Sequence, residues 1–82
     1  MATTPLSLTP SDSRPSAGSL SHREREVFKL LAQGLKGAEI AHRLMLSTET
    51  VRAHVHNGSK RLGARTRVHA LALAVRNGEI EL

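Results

Sequence analysis

Cysteine, tryptophan and tyrosine are absent from this 82-residue chain. Without thiols the chain can form neither a disulfide framework nor a thiolate metal site. Phe28 is the only aromatic residue, and a core of leucine, isoleucine, valine and alanine favours a small helical bundle over a sandwich or barrel. No apolar run approaches the roughly twenty residues of a transmembrane helix, and the N-terminus lacks a signal-peptide pattern. We expect one small cytoplasmic domain without a membrane partner.

Acidic residues are scarce where basic residues are concentrated. The chain has 12 lysine and arginine residues against 7 acidic ones, a formal net charge of +5. Residues 47–76 contain six basic residues and a single acidic residue, Glu49, so this segment alone carries +5. Such a concentration of positive charge attracts phosphate and predicts a nucleic-acid partner.

The chain divides into three parts by composition. Residues 1–19 are rich in serine, threonine and proline and show hardly any periodicity, which predicts a disordered arm or linker. Residues 20–78 have the apolar periodicity of a folded domain. Residues 79–82 are expected to form a short C-terminal tail.

Capping residues and periodicity predict an all-α, four-helix bundle. Ser21 and Glu24 have the spacing of a capping box, and they begin a helix that ends at Gly34. The other helices are expected at about residues 37–44, 48–62 and 66–77. Because only three residues separate the second helix from the third, we expect a helix-turn-helix.

The third predicted helix has two different faces. Val51, Val55 and Leu62 lie on one side, where they can face a core. The opposite side carries Arg52, Ala53, His56, Asn57 and Lys60. A basic face without apolar residues to bury is suited to a polyanion, and we interpret it as a DNA-recognition helix.

The fourth predicted helix is apolar on more than one side. We assign one stripe to the core: Val68, Leu71, Ala72 and Val75. A second patch adjoins it: Ala70, Leu73 and Ala74. This patch fits either contact with a partner chain or a wide core stripe in a small bundle.

Four ordered segments resemble one known family. LSHREREVFKLLAQGL (20–35), EIAHRL (39–44), LSTETVRAHV (46–55) and RLGARTRVHALA (61–72) are similar to the DNA-binding domain of LuxR/FixJ-type (GerE-like) bacterial transcriptional regulators, which include response regulators. The resemblance implies a tetrahelical domain whose third helix enters the major groove of double-stranded DNA. It also implies a homodimer through the fourth helix on half-sites about ten base pairs apart. RNA polymerase is a further candidate partner.

The resemblance also assigns residues. It implies base reading by Arg52, Ala53 and His56, and Asn57 lies on the same face. It implies phosphate contacts at Thr48 and Thr50, and charge adds four further candidates for the DNA backbone: Lys36, Lys60, Arg61 and Arg65. The patch Ala70, Leu73 and Ala74 becomes the expected dimer interface. Glu24 and Arg67 match positions kept for structure, and we expect them to pair.

The sequence departs from the family pattern at Gly58 and Ser59, where apolar residues are usual. A glycine within a helix costs about 1 kcal/mol relative to alanine, and a missing buried side chain adds about 2–5 kcal/mol if its cavity stays empty. Three consequences fit this departure: a loose third helix, a bend near Asn57 and Gly58, or full order only on DNA. Gly58→Ile is expected to stabilise the domain if the gap is open. Lys36 and Gly37 replace the usual Ser and Asn, so a helix cap is lost there.

Two other functions fit parts of the pattern. Region four of a sigma factor has a similar pattern, but it usually ends soon after its recognition helix. A degenerate domain that only pairs with proteins would explain Gly58, but not the basic patch.

His54 and His56 diverge on one helix and cannot chelate one ion, so we expect no metal or other cofactor. No nucleophile–base pairing is visible, and we expect no enzymatic activity.

Overall fold

The computed structural model describes residues 19–82, so the predicted arm lies outside the described residues except for Ser19. Four helices follow one another: α1 (His22–Ala32), α2 (Gly37–Leu44), α3 (Thr48–Leu62) and α4 (Arg67–Arg76). No strand occurs in this part of the chain, and the all-α prediction is confirmed. None of the described helices is long and apolar enough to cross a membrane.

The predicted N-terminal caps form. The Ser21 hydroxyl accepts from the Glu24 amide at 3.2 Å, and the Glu24 carboxylate accepts from the Ser21 amide at 2.9 Å, which completes the capping box of α1. Ser47 accepts from the Thr50 amide at 3.0 Å at the start of α3. Thr66 does the same for α4, accepting from His69 at 3.0 Å. Serine and threonine thus fix where three helices begin.

The turn between α2 and α3 is built by backbone geometry. Met45 has φ 58°, in the left-handed region, and the Leu46 amide donates to the Ala41 carbonyl at 2.8 Å. This bond is typical of a helix that ends in a Schellman motif. At the other end of α2, Lys36 supplies no side-chain cap, but its amide donates to the Glu39 carboxylate at 2.7 Å. Half of a capping box therefore remains where the serine is missing.

Two clusters of buried side chains join the helices. One lies between α1, α2 and α3 and is formed by Val27, Ile40, Ala41 and Val51. The other joins α1 to α4 and the C-terminal segment and is formed by Leu20, Phe28, Ala70, Ala74 and Ile80. Val55 of α3 packs against both clusters. The third helix is therefore held along its inner side by the whole bundle.

The gap expected at Gly58 is filled. A Cβ atom at this position would lie 2.9 Å from Cε1 of Phe28, 3.0 Å from its Cζ and 3.1 Å from Cδ2 of Leu20. The only aromatic ring of the chain thus occupies the space that an aliphatic side chain on α3 would take. The helix runs through Gly58 without interruption. The gap is therefore closed, and the condition under which Gly58→Ile would stabilise the domain is not met.

The second apolar patch of α4 belongs to the core, as in the alternative of a wide core stripe, and most of the predicted core stripe is exposed. Ala70 and Ala74, assigned to a dimer interface, are completely buried in the core, whereas Val68 is 75% exposed and Val75 is 37% exposed. Ala72 is also exposed. The physical reason is that alanine lets α4 approach the ring of Phe28 closely, where larger side chains would not fit. Ala70 and Ala74 are therefore unavailable to a second chain.

The remaining residues of α4 lie between these extremes. Leu71, assigned to the core, and Leu73, assigned to the dimer interface, are both partly buried, and Leu71 packs against the core cluster that contains Phe28.

The folded domain extends beyond the predicted boundary at residue 78. Ile80, placed by the sequence in a C-terminal tail, is only 5% exposed and belongs to the cluster around Phe28. The Glu79 carboxylate pairs with Arg25 at 3.0 Å and accepts from the Leu20 amide at 3.3 Å. Residues 79 and 80 thus fasten the end of the chain to the start of α1.

Gly58→Ile is expected to lower the free energy of unfolding by about 1–3 kcal/mol, because the new side chain would be forced against a ring that is already fully buried. Chemical denaturation measures this loss. The matched control is Gly37→Ala, since nothing lies within 4 Å of a Cβ atom built there. In a Phe28→Leu background the Gly58→Ile change should cost less. Stabilisation by Gly58→Ile alone would contradict the packing described above.

Candidate nucleic-acid interface

One long face of α3 is free of contacts with the bundle. Arg52, Ala53, His56 and Asn57 are all exposed, and their spacing places them on one side of the helix. The opposite side is anchored, since Val51 and Gly58 are buried. The structure therefore brings the four predicted base-reading residues together on one surface, which we call the α3 face.

The start of α3 carries two threonines with different surroundings. Thr48 is exposed, with its hydroxyl 3.3 Å from the Glu49 carboxylate. Thr50 is partly buried, and its hydroxyl lies 2.9 Å from that of Ser47. Of the two predicted phosphate contacts, Thr48 is thus the more accessible.

All four charged candidates for the DNA backbone are exposed, but only three of them form no ion pair within residues 19–82. They are Lys36 at the start of α2, Lys60 in the last turn of α3 and Arg65 in the loop that follows. Within the ion pairs described for residues 19–82, none of these three takes part. Their charges are available to an anionic partner.

Arg61, the fourth candidate, is bound to another part of the protein. Its Nε lies 3.1 Å from one carboxylate oxygen of Glu24 and donates to the other at 3.3 Å. Glu24 is only 3% exposed, so this is a largely buried carboxylate that needs a partner. The expected pair of Glu24 with Arg67 is wrong: the partner is Arg61, and Arg67 is exposed.

Two clefts flank α3, and the sequence did not predict them. The α2–α3 cleft includes Gly37, Ala38, Thr48, Arg52 and Arg67 in its lining. The α3–α4 cleft includes Arg52, His56, Lys60, Arg65 and Arg67 in its lining. Neither cleft is lined by aspartate or glutamate. Both are therefore basic grooves beside the α3 face.

The outer side of α4 carries a short apolar row. Val68, Ala72 and Val75 are exposed and follow one another at helical spacing. The sequence had placed these three residues in the core because both sides of α4 are apolar. Only the packing against Phe28 distinguishes the two sides, and no local pattern reveals it.

The histidines do not form a cluster. Within residues 19–82, no three histidine, cysteine, aspartate or glutamate side chains come together in a way that could hold a metal ion. His69 instead accepts a hydrogen bond through Nδ1 from the Arg65 amide at 3.0 Å, which fastens the loop before α4 to the helix.

A short helix, a left-handed turn and a longer helix with an exposed basic face define a helix-turn-helix DNA-binding domain. Comparison with known proteins gives the family. The family described as "GerE: Bacterial regulatory proteins, luxR family" matches residues 18–74. The spore germination protein GerE of Bacillus subtilis (strain 168) is 46% identical over 63 residues, which are 77% of this chain and 85% of GerE. The nitrate/nitrite response regulator protein NarL of Escherichia coli (strain K12) is 43% identical over 51 residues, 62% of this chain and 24% of NarL.

Solved structures agree with this assignment. The structure of the transcription factor GerE superposes with a TM-score of 0.73 at 37% identity and covers 76% of this chain and 92% of that one. The VqmA–ligand–DNA complex of Vibrio cholerae gives a TM-score of 0.69 at 29% identity, over 93% of this chain and 32% of the other. The chain belongs to the luxR family of bacterial regulatory proteins, and it is a DNA-binding domain that acts in transcription regulation. The family match favours the regulator over the sigma-factor module.

Arg61→Ala is expected to lower the free energy of unfolding by about 1 kcal/mol, because it leaves the Glu24 carboxylate without its cationic partner. Thermal denaturation measures this effect, and Lys60→Ala, which removes the neighbouring exposed charge, is the control that should leave stability unchanged. If Arg61→Ala left stability intact and instead reduced the salt dependence of DNA binding, Arg61 would be a DNA contact rather than a structural one.

Proposed function

We propose that α3 enters the major groove and reads bases with Arg52, Ala53, His56 and Asn57. The observation that carries the proposal is the α3 face itself, a contiguous exposed surface on a capped helix whose other side is buried in the bundle. A helix presented in this way fits the width of the major groove of B-DNA. The solved complex of the similar protein VqmA contains DNA, which supports the proposal.

The chemistry of the α3 face fits base edges. The guanidinium of Arg52 can donate two parallel hydrogen bonds to O6 and N7 of guanine, and the amide of Asn57 can pair with N6 and N7 of adenine. The methyl group of Ala53 can contact a thymine methyl. Each of these groups favours a different base. The surface can therefore discriminate between sequences rather than bind all of them equally.

The residues around this face supply affinity without discrimination. We infer that Lys36, Thr48, Lys60 and Arg65 bind phosphates on both sides of the groove, because they are exposed and basic or hydroxylated. Thr50, which is partly buried beside Ser47, is a weaker candidate. Phosphate contacts fix the register of the helix in the groove, while the base contacts select the site.

We further propose that two copies bind DNA as a two-fold dimer through the outer side of α4. The exposed row of Val68, Ala72 and Val75 replaces the buried alanines that the sequence had assigned to this role. Three small side chains offer much less than the roughly 1,200–2,000 Å² that a stable interface buries. Pairing is therefore expected on DNA, where two half-sites about ten base pairs apart hold the copies together.

Other expectations about the whole protein stay predictions. The chain spans 85% of GerE but only 27% of the B. subtilis regulatory protein YxjL and 24% of NarL. We propose that the protein acts in the cytoplasm at the nucleoid and contacts RNA polymerase, as expected of a DNA-binding regulator. We also propose that a further domain controls it, as the greater length of YxjL and NarL suggests.

Arg52→Ala is expected to remove about 1–3 kcal/mol of discrimination between a selected and a scrambled duplex, roughly a tenfold to hundredfold change in the ratio of dissociation constants. Fluorescence anisotropy on duplexes enriched from a random pool measures it. Arg23→Ala, which removes an exposed arginine of α1, is the control. If the wild type binds DNA without preferring any sequence, base reading fails. If it does not bind at low salt, the domain acts through proteins alone.

Val68→Gln is expected to weaken binding to a duplex with two half-sites by about tenfold, since it removes an apolar contact worth roughly 1.4 kcal/mol across the dimer. Binding to a single half-site serves as the internal control and should not change. Because Val68 is 75% exposed, the melting temperature should also stay the same. Unchanged cooperativity on two half-sites would place the dimer contact elsewhere.

A further inference from the structure

We propose that Arg67 binds the phosphate backbone beside the guanine-reading Arg52, in the role that the sequence had given to Arg61. This inference rests on the proposed function, because it names one more DNA contact of the same surface. Arg67 had been expected to stabilise the fold by pairing with Glu24, and the structure gives that pairing to Arg61.

The position of Arg67 carries the argument. It is the first residue of α4, and it lines both clefts that flank α3. Only Arg52 and Val55 share this property. These three residues therefore lie between the two clefts and form what we call the ridge, which contains two arginines and one apolar residue.

The electrostatics of this ridge favour an anion. Arg52 and Arg67 carry like charges beside the same two clefts, and no acidic residue lines either cleft. Within residues 19–82, no ion pair or hydrogen bond is formed by the side chain of Arg67. Neither arginine forms an ion pair within residues 19–82, so a phosphate bound there would meet two uncompensated positive charges.

The residues around the ridge indicate that the anion is a DNA phosphate rather than a small free ion. Arg52 belongs at once to the ridge and to the α3 face, and Lys60 and Arg65 extend the basic lining along the α3–α4 cleft. A row of cations that follows a helix lying in the major groove matches the spaced phosphates of one DNA strand better than a single small ion. We therefore assign Arg67 to a phosphodiester of the strand that borders the groove.

The contrast with Arg61 makes the assignment specific. Arg61 and Arg67 are six residues apart in the same basic segment, and charge alone does not distinguish them. Both arginines are exposed, but a nearly buried carboxylate of α1 pairs with Arg61, whereas Arg67 forms no ion pair within residues 19–82. The two arginines thus exchange the roles that sequence reasoning assigned to them.

The test is anisotropy on a duplex with one half-site, measured over a salt series so that dimer contacts do not contribute. Arg67→Ala should weaken binding about tenfold to the selected and to the scrambled duplex alike, and the slope of log K against log salt should decrease by about 0.9. Arg67→Lys should keep the slope, since lysine retains the charge. Arg76→Ala, which removes an exposed arginine at the far end of the same helix and outside both clefts, is the matched control.

The outcomes separate this inference from the proposed function. If the wild type selects a sequence through Arg52 and Arg67→Ala binds with an unchanged salt slope, the assignment of Arg67 is overturned and base reading by α3 stands. If Arg67→Ala lowers the melting temperature and leaves the slope unchanged, Arg67 is structural and the assignment is likewise overturned. Absence of any wild-type binding overturns both. A reduced slope with an unchanged melting temperature supports the phosphate contact.

Discussion

The ring of Phe28 against the backbone of Gly58 is the contact on which the arrangement of this domain depends. Phe28 is fully buried, and the cluster around it joins α1, α4 and the C-terminal segment. Its ring approaches α3 so closely that even one additional carbon at Gly58 would lie 2.9 Å from it. Cδ2 of Leu20, 3.1 Å from the same position, closes the rest of this space. The glycine is therefore the complement of the aromatic ring rather than a defect in the recognition helix, and the two positions must be considered together.

The buried carboxylate of Glu24 pairs with one of the arginines that the sequence assigns to DNA binding. Glu24 accepts from the Ser21 amide within the capping box and also pairs with Arg61, so a single side chain fixes the start of α1 and the end of α3. Burial makes this carboxylate require a cation. The cation that it takes, Arg61, is exposed but paired, whereas Arg52 and Arg67 are exposed and form no ion pair within residues 19–82. The basic surface is thus smaller than the sequence implies, but it is free of acidic neighbours in both clefts.

Local signals in the sequence predicted the helices, their serine and threonine caps and the exposed face of α3. These features depend on residues within one or two turns of each other, so periodicity and capping chemistry suffice. The errors concern contacts between distant residues. Both sides of α4 are apolar, and only the close approach to Phe28 places Ala70 inside and Val68 outside. The choice of Arg61 over Arg67 by Glu24 is likewise set by the packing of α1 on α3. The base-reading and phosphate contacts stay predictions.

The same contact also connects the α3 face with the outer side of α4. Ala70 and Ala74 hold the inner side of α4 in the cluster of Phe28, whose ring lies against α3 at Gly58. The outer side of α4 carries the proposed dimer contacts, and Arg67 is the first residue of this helix. In the proposed dimer, the distance between the two-fold axis and α3 would be set by the cluster around Phe28. Because tightly packed interiors resist deformation, this cluster would also set the spacing of the two proposed half-sites. A change in the cluster would alter which pairs of half-sites fit, even where every DNA-contacting side chain is retained.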